Sequence, residues 1–526
     1  MPRFAAIDVG SNAIRLRIVD ADRPSSGSAR QLPLLENGEN GGQRDFLNEV
    51  VTLRSPVRLG AEVFGGGRLA PSSIGRACEA LRGFRAEMDR AQVDAYRAVA
   101  TSAVREAKNG AVLIERVRRE AGIELEAIEG IEEARLIQLA VTRRLSLGSQ
   151  RALLIDVGGG STELTLLDHG QAEYTTSLPI GTVRLLETFM RGAETMNHAR
   201  QRLIEETIDR ALAEAIPHIE RVDTLVTTGG SVDTLLDLCP ADGQKGAIDV
   251  SSARALFKKM REVTTEERRN TWNLRPDRAD TILPALVIFL RCADAFQQRT
   301  WIAPGVGVSA GVLLELIDRH FDVWDAHREA NEILEACARL GRRFKFDEPH
   351  ALHVGRLATQ LFDDLREVHA FGHRDRLLLR CGAMLHDVGD FLHYSGHHKH
   401  SYYIILHSDI MGIHPEERAI IANIARYHRK GPPDNAHVNF RELSKEARGK
   451  VRGLAAILRI ADALDREHRQ KVENVRTVVD REAGRIVLYL RGDKERELEE
   501  WSLENKASMW REEYDLDVQL AEDPIA

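Results

Sequence analysis

The sequence lacks the features that define several classes of protein. Its five cysteines are scattered, and no two form a Cys-x-x-Cys pair, so neither a disulfide framework nor a thiolate zinc site is expected. No apolar run is long enough to cross a membrane, and the N-terminus lacks the basic and apolar segments of a signal peptide. We therefore expect a cytoplasmic protein with buried, reduced thiols and no membrane association.

An excess of positive charge is also absent. The formal net charge of −8 argues against a surface that coats nucleic acid, so we expect no nucleic-acid partner and anionic ligands bound at focused sites. The 526 residues are 43% apolar and 29% charged, as in globular proteins. A chain of this length is too long to fold around a single hydrophobic core, so we expect several domains.

A short segment occurs twice. Asp8-Val9-Gly10-Ser11-Asn12 returns as Asp156-Val157-Gly158-Gly159-Gly160-Ser161-Thr162, each copy between apolar residues that predict strand, tight turn and strand. Glycine turns let backbone N–H groups and hydroxyls face phosphate oxygens, while the aspartate holds a divalent cation. One such turn alone is typical of an ordinary hairpin, but two matching copies predict a duplicated, two-lobed fold with a central phosphate-binding cleft.

Three further segments contain candidate site residues. Arg105 follows a predicted strand at 95–100, and its planar guanidinium suits a bidentate contact with phosphate, although a solvent-exposed arginine at a helix start is the alternative. Glu132 and Glu133 begin a helix, where acidic residues usually serve the helix dipole. Their position between the two turns makes a general base plausible. Gly229 and Gly230 follow the predicted strand 224–228 and offer a third phosphate contact.

The rest of the chain divides by pattern. The polar, glycine-rich stretch 24–42 predicts a mobile loop. Helical apolar spacing dominates from about residue 321, and two strands near 475–479 and 485–490 precede a final helix and strand. We predict four domains, at 1–135 and 136–320 (the two lobes), 321–471 (all-α) and 472–526 (small α+β).

Taken together, these motifs resemble those of the Ppx/GppA phosphatase family, which comprises exopolyphosphatases and guanosine pentaphosphate phosphohydrolases. The resemblance spans roughly residues 4–320 and implies an α/β, two-lobed, actin-like fold of the duplicated ribonuclease H-like type. Longer members carry an HD-type helical domain and a small C-terminal domain, as this chain is predicted to do. The resemblance also implies a homodimer and a dependence on Mg²⁺.

By motif position, the resemblance assigns roles to individual residues. Glu133 would activate the attacking water, with Glu132 as the weaker candidate, while Asp8 and Asp156 would hold magnesium. Arg105 would neutralise charge in the transition state. The phosphate-binding residues would be Gly10, Ser11, Asn12, Gly158, Gly159, Gly160, Ser161 and Thr162, joined by Gly229 and Gly230. An arginine usual in the family is missing from the turn at 307–311, so substrate contacts there are expected to differ.

In the helical region, the order His353, His386-Asp387 and Asp462 follows the His, His-Asp, Asp order of HD phosphohydrolases. In those enzymes imidazoles and carboxylates from separate helices converge on a divalent metal. The ion expected here is Mn²⁺, Fe or Zn. His400 and His428 would extend the site. The alternative is a relic domain that serves only as a wall of a polyphosphate channel.

These observations leave several functions open. The leading hypothesis is an exopolyphosphatase that uses Mg²⁺ to release orthophosphate from the ends of inorganic polyphosphate, with pppGpp as a second substrate. A dedicated pppGpp or nucleoside triphosphate phosphohydrolase needs the same chemistry. A second, metal-dependent phosphohydrolase in the HD-type domain is a third hypothesis. A nucleotide sensor without turnover is the fourth, but a pure anion binder gains nothing from carboxylates beside its ligand.

Overall fold

The computed structural model describes residues 1–23, 47–148, 150–219, 221–321, 326–493 and 495–522. The chain divides into two compact units, Met1–Trp324 and Asp325–Ala526. Each unit contains two of the four predicted domains, and the division within each unit stays a prediction. The predicted loop at 24–42 lies outside the described residues.

The first lobe is a sheet covered by helices. Strand β1 is almost wholly buried, as its apolar sequence predicts, while helix α2 begins at Pro71, whose ring favours a first helical turn. The elements are β1 (Arg3–Val9), β2 (Ile14–Ala21), β3 (Leu47–Ser55), α1 (Gly60–Gly66), α2 (Pro71–Arg90), β4 (Ala95–Ala100), α3 (Ser102–Glu106), α4 (Gly110–Ala121), β5 (Leu125–Ala127) and α5 (Gly130–Arg144).

The second lobe repeats this plan with additional helices. A π-helical turn at Leu186–Met190 and a 3₁₀ turn at Ile216–His218 accompany its regular elements. These elements are β6 (Ala152–Val157), β7 (Thr162–Asp168), β8 (Gln171–Leu178), α6 (Thr182–Leu185), α7 (His198–Ala215), β9 (Thr224–Gly229), α8 (Val232–Leu238), β10 (Ala247–Asp249), α9 (Val250–Met260), α10 (Thr265–Thr271), α11 (Pro276–Ala279), α12 (Ile282–Ala295), β11 (Thr300–Ile302) and α13 (Val308–His320).

The two sheets share one strand order, which confirms the predicted duplication. The first runs β3-β2-β1-β4-β5, and the second runs β8-β7-β6-β9-β11 with β10 added at its edge. In both, an antiparallel hairpin (β1–β2 or β6–β7) is followed by a parallel pairing of its first strand, with β4 or β9. The repeated motif therefore occupies the same place in each lobe, at the end of the central strand.

Helix α13, the last of the first unit, returns to the first lobe. Its Gly311 lies so close to α5 that a Cβ there would be 2.1 Å from the carbonyl oxygen of Leu136. Near its end, the ring of His320 packs edge-on against Phe4 of β1 at 5.1 Å. Although sequence order places α13 with the second lobe, it packs on β1 and α5 and so fixes the helix that begins with the glutamate pair.

The second unit is mainly helical and ends in a three-stranded sheet. One hydrophobic core joins the helices to the strands, with β12 antiparallel and β14 parallel to β13. The elements are α14 (Ala326–Arg343), α15 (Glu348–Asp364), α16 (His373–Leu385), a 3₁₀ turn (Val388–Phe391), α17 (His397–Leu406), α18 (Pro415–Arg426), α19 (Val438–Arg441), α20 (Lys445–Ala463), β12 (Val472–Asp480), β13 (Arg485–Gly492), α21 (Glu497–Lys506), α22 (Ser508–Tyr514) and β14 (Asp517–Glu522).

Two properties of the whole chain bear on the sequence predictions. All five cysteines are buried free thiols, as expected. Among the described helices, none combines the length and the hydropathy that a membrane span requires.

The close crossing of α13 and α5 predicts a stability difference between two helical glycines. Gly311→Ala places a methyl group against the Leu136 carbonyl, so we expect the free energy of unfolding to fall by about 2 kcal/mol or more. Gly75→Ala in α2 meets open space and should raise it by about 0.5 kcal/mol, because alanine favours helix. Urea denaturation of both variants measures the difference, and equal stabilities would contradict the crossing.

Candidate active site

The two repeated turns face each other across the first unit. In each, the amide of the first glycine donates to a carbonyl three residues on, from Gly10 to Ala13 and from Gly158 to Ser161, at 3.0 Å in both cases. A Cβ added to Gly159 would lie 2.7 Å from the Cβ of Ser11. The turns are thus in direct contact, and glycine is required where they meet.

A cleft of about 410 Å³ opens beside this contact. Its walls are formed by both turns, the start of α5 and the end of β9. The residues predicted from sequence that line it are Asp8, Gly10, Ser11, Asn12, Glu133, Asp156, Gly158, Gly159, Ser161, Gly229 and Gly230. Most of the predicted phosphate-binding set is therefore brought together around one cavity.

Three predicted phosphate ligands are not among the residues that line the cleft. Gly160 packs in the other direction, since a Cβ there would meet Phe64 at 2.3 Å and the hydroxyl of Ser102 at 2.4 Å. The Thr162 hydroxyl is buried and donates to the carbonyl of Ile180. Arg105 donates to the carbonyl of Ile128 at 2.7 Å, just before α5. These three shape the surroundings of the cleft.

Glu133, Asp156 and Glu163 form a buried acidic cluster, with one carboxylate oxygen of each within 4.8 Å of the others. Burial raises the pKa of Glu133 well above its ordinary value, and the negative charge of Glu163 adds to the effect. Burial also raises the pKa of Glu163 to about 7 and that of Asp156 to about 6, where a hydrogen bond from Thr228 opposes it. Glu133 thus has the elevated basicity that a general base requires.

The neighbouring glutamate has a different environment. Glu132 accepts hydrogen bonds from Arg135 at 2.7 Å and from Arg97 at 3.1 Å, and both arginines also contact Glu315 of α13. Burial alone would raise the pKa of Glu132, but the hydrogen bond and charge of Arg135, with Arg97, lower it. The carboxylate is committed to an ion-pair network that ties α5 to α13.

The acidic cluster fits a divalent cation. One buried oxygen of Glu133 and one of Glu163 have no hydrogen-bond partner among the described residues, and a cation would satisfy both. Asp8, predicted to bind metal with Asp156, is buried and pairs with Arg15 at 3.3 Å instead of belonging to the cluster. All these donors are carboxylate oxygens, which Mg²⁺ prefers.

Sequence reasoning missed two residues of the site. Glu163 directly follows the second repeated motif, so its position in the sequence could have identified it as a site residue. Arg278 of α11 lines the cleft and rests against Gly230, where a Cβ would lie 2.4 Å from its guanidinium. Burial lowers the pKa of Arg278 to about 10, and nearby Arg15 adds to the effect. No motif marked it.

In the second unit, four of the predicted metal ligands come together. His386, Asp387, His428 and Asp462 belong to overlapping clusters of buried metal-ligating groups. The prediction is corrected at its first histidine, because His350 occupies that place and His353, three residues further round α15, contacts Arg356 at 2.7 Å. His400 is outside these clusters, whereas His397 at the start of α17 lies 3.1 Å from Asp387.

Comparison with protein families matches residues 39–320 to the Ppx/GppA phosphatase family and residues 334–509 to domain III of Ppx/GppA phosphatases. Two similar proteins are called guanosine-5'-triphosphate,3'-diphosphate pyrophosphatase. The one from Photobacterium profundum is 25% identical over 436 residues, 82% of this chain and 81% of that protein. The one from Aeromonas salmonicida is 26% identical over 475 residues, 88% of this chain and 87% of that protein.

Solved structures resemble the first part of the chain. An exopolyphosphatase from Cytophaga hutchinsonii superposes with a TM-score of 0.52 at 24% identity, covering 60% of this chain and 98% of that one. An exopolyphosphatase-like protein gives 0.52 at 26% identity, covering 61% and 98%. These likenesses agree with the predicted actin-like pair of sheet-and-helix lobes.

The buried Arg278 predicts opposite changes in binding and stability. Arg278→Met removes a cation aimed at the cleft, so we expect affinity for orthophosphate to fall about tenfold, as lost charge-assisted hydrogen bonds imply. The same change should raise the free energy of unfolding, because no ion pair with a described carboxylate offsets the burial of this cation. Calorimetric titration and urea denaturation measure the two effects.

Arg210→Met is the matched control for Arg278→Met. Arg210 is an exposed residue of α7 outside the cleft lining, so both measurements should match the parent protein. An Arg278→Met variant with unchanged phosphate affinity would show that the guanidinium serves packing alone.

Proposed function

Because the chain belongs to the Ppx/GppA phosphatase family, we propose that it hydrolyses the terminal phosphate of inorganic polyphosphate, with pppGpp as a second substrate. Family membership makes it a phosphoanhydride hydrolase. The observation that carries the proposal is the position of Glu133, a buried carboxylate of raised pKa at the edge of a cleft lined by two facing glycine turns.

Each part of the cleft has a defined task in this proposal. The amides and hydroxyls of the two turns, with Arg278, bind the oxygens of the terminal phosphoryl group. Glu133 takes a proton from the water that attacks phosphorus, and the bond to the bridging oxygen breaks, releasing orthophosphate. Asp156 and Glu163 of the acidic cluster would hold Mg²⁺, with Asp8 lining the same cleft, and the ion when bound neutralises charge on the phosphoryl oxygens.

The similar proteins and the cations of the cleft bear on the choice between polyphosphate and pppGpp. The relatives that carry the pyrophosphatase name support pppGpp as a substrate, whereas the exopolyphosphatase structure is similar in fold. The turn at 307–311 lacks the arginine expected there, yet Arg278 supplies a cation to the same cleft. Such a cation suits the terminal phosphate that both substrates share.

A second candidate function belongs to the helical unit. His386, Asp387 and Asp462 converge from α16 and α20, with His350 of α15 beside them. This mixed set of imidazoles and carboxylates suits Mn²⁺, Fe²⁺ or Zn²⁺ and supports an HD-type, metal-dependent phosphohydrolase acting on a nucleotide.

Replacing the two neighbouring glutamates distinguishes their roles. Glu133→Gln should lower kcat for polyphosphate at least about 100-fold, since a general base contributes at least that much. Glu132→Gln should leave kcat within about threefold but lower the free energy of unfolding by about 1–3 kcal/mol, because it loosens a buried ion-pair network. Asp387→Ala should leave polyphosphate hydrolysis unchanged. Loss of that activity in Asp387→Ala alone would place the chemistry in the other unit.

Substrate preference is tested by turnover on long-chain polyphosphate, inorganic triphosphate and pppGpp at saturating Mg²⁺. We expect phosphate release from all three, because the cleft contacts that the proposal uses reach the terminal phosphoryl group. Release from pppGpp alone would favour the dedicated pyrophosphatase. Tight binding without release in any metal would indicate a nucleotide sensor.

A further inference from the structure

A second cavity, of about 340 Å³, lies among the helices of the second lobe. Helices α7 and α9 both pack against α12, and residues of all three helices line the cavity, with α12 between the other two. No described residue lines both this cavity and the cleft with the glycine turns. The cavity is large enough for a small organic ligand, and the function proposed above does not use it.

Three polar bridges connect the helices around the cavity, one for each pair of helices. Each bridge is formed by an arginine that lines the cavity. The bridges are Arg254–Asp294 between α9 and α12, Arg291–Asp209 between α12 and α7, and Arg261–Gln201 between the end of α9 and α7. Because the bridges fix the walls before a ligand enters, less ordering is needed on binding.

The bottom of the cavity is apolar. Phe257 of α9 and Val287 and Leu290 of α12 line it, and all three residues are buried. Such surface favours a ligand with an apolar body, because covering it with another apolar group removes both surfaces from water. A bare inorganic anion or a metal ion gains nothing from this part of the cavity.

Two charged groups that line the cavity have no ion-pair partner among the described residues. One is Lys258 of α9, which is exposed. The other is Glu205 of α7, whose Oε1 accepts a hydrogen bond from Gln201 at 2.8 Å and whose Oε2 accepts none from the described residues. Arg291 feels the negative charge of Glu205, but it donates both of its short hydrogen bonds to Asp209.

The positions of these two groups define the form of the ligand. Lys258 and Glu205 belong to the two helices on either side of α12, so about the width of one helix, about 10 Å, separates the walls. A ligand that reaches both needs hydrogen-bond donors at one end, an anion at the other and an apolar body between them. A free amino acid does not meet this requirement, since its ammonium and carboxylate groups are attached to the same carbon.

A guanine nucleotide with one phosphate has the required form. The N1–H and the 2-amino group of guanine are adjacent donors that suit a single carboxylate, and a phosphate suits the ammonium group of a lysine. Adenine presents an acceptor at N1, which a carboxylate disfavours. The cavity offers one free cation, which matches one phosphate better than several.

We propose that the second lobe binds a guanine nucleoside monophosphate in this cavity. Glu205 accepts the hydrogen bonds of the guanine edge, and Lys258 binds the phosphate. Phe257, Val287 and Leu290 contact the apolar faces of the nucleoside. The proposal is independent of the hydrolysis proposed for the cleft, because it rests on a separate set of residues.

Isothermal titration calorimetry of the full-length protein with guanosine monophosphate (GMP) and adenosine monophosphate (AMP) tests the proposal. We expect GMP to bind about tenfold or more tightly than AMP, because only guanine satisfies the carboxylate. Lys258→Met should weaken GMP binding about tenfold, as a lost charge-assisted contact implies. Lys259→Met is the matched control, since Lys259 is an exposed neighbour outside the cavity lining, and it should bind GMP as the parent does.

The base contact is tested by a second pair of variants. Glu205→Gln should remove the preference for GMP over AMP, whereas Glu206→Gln should keep it, because Glu206 is exposed and lies outside the cavity lining. Both positions are at the surface of α7, so both variants should fold as the parent does. Equal affinities of the parent for GMP and AMP would overturn the assignment of guanine.

Arg278→Met distinguishes this cavity from the cleft. Its affinity for GMP should remain within about twofold of the parent's, because distant substitutions act independently. Loss of GMP binding in Arg278→Met, with retention in Lys258→Met, would assign the nucleotide to the cleft and overturn the proposal. A parent protein that binds no GMP would also overturn it. Neither result bears on phosphate release from polyphosphate, which is measured separately.

Discussion

The contact between the two glycine turns is the constraint on which the first unit depends. Gly159 meets Ser11 without room for a side chain, and Gly160 meets Ser102 and Phe64 in the same way. This close approach places two sets of backbone amides on one small cavity and brings the start of α5 beside it. A phosphate-binding cleft follows from the geometry of the backbone, and the side chains around it add charge and a proton acceptor.

Much of the fold could be predicted from sequence because local pattern and duplication agreed. The repeated motif predicted both hairpins, and apolar spacing predicted the helices that follow residue 321 and the strands β12 and β13. The return of α13 to the first lobe could not be predicted in this way. That placement results from a helix crossing between two residues that are far apart in sequence, Gly311 and Leu136. The sequence around a glycine does not indicate which residue the glycine contacts.

The site residues were less predictable. A helix turns by about 100° per residue, so residues only one to three positions apart can lie on different faces of the helix. Glu132 and Glu133 are neighbours, yet one serves an ion-pair network and the other the cleft. His350 and His353 are separated by three residues, and the order of histidines along the chain did not indicate which of them faces His386. Arg278 belongs to no motif, and its role depends on tertiary burial.

The ion-pair network under α5 has a consequence for the chemistry of its neighbour. Three guanidinium groups, from Arg97, Arg135 and Arg319, are matched by the carboxylates of Glu126, Glu132 and Glu315. Because these charges cancel locally, their combined field fades within a short distance. Glu133 is thus shielded from the charges of Arg97 and Arg135. Its affinity for a proton is governed by burial and by its acidic neighbours, with the charge of Arg105 opposing them. The network therefore limits the effect of these arginines on the pKa of Glu133, in addition to joining α5 to α13.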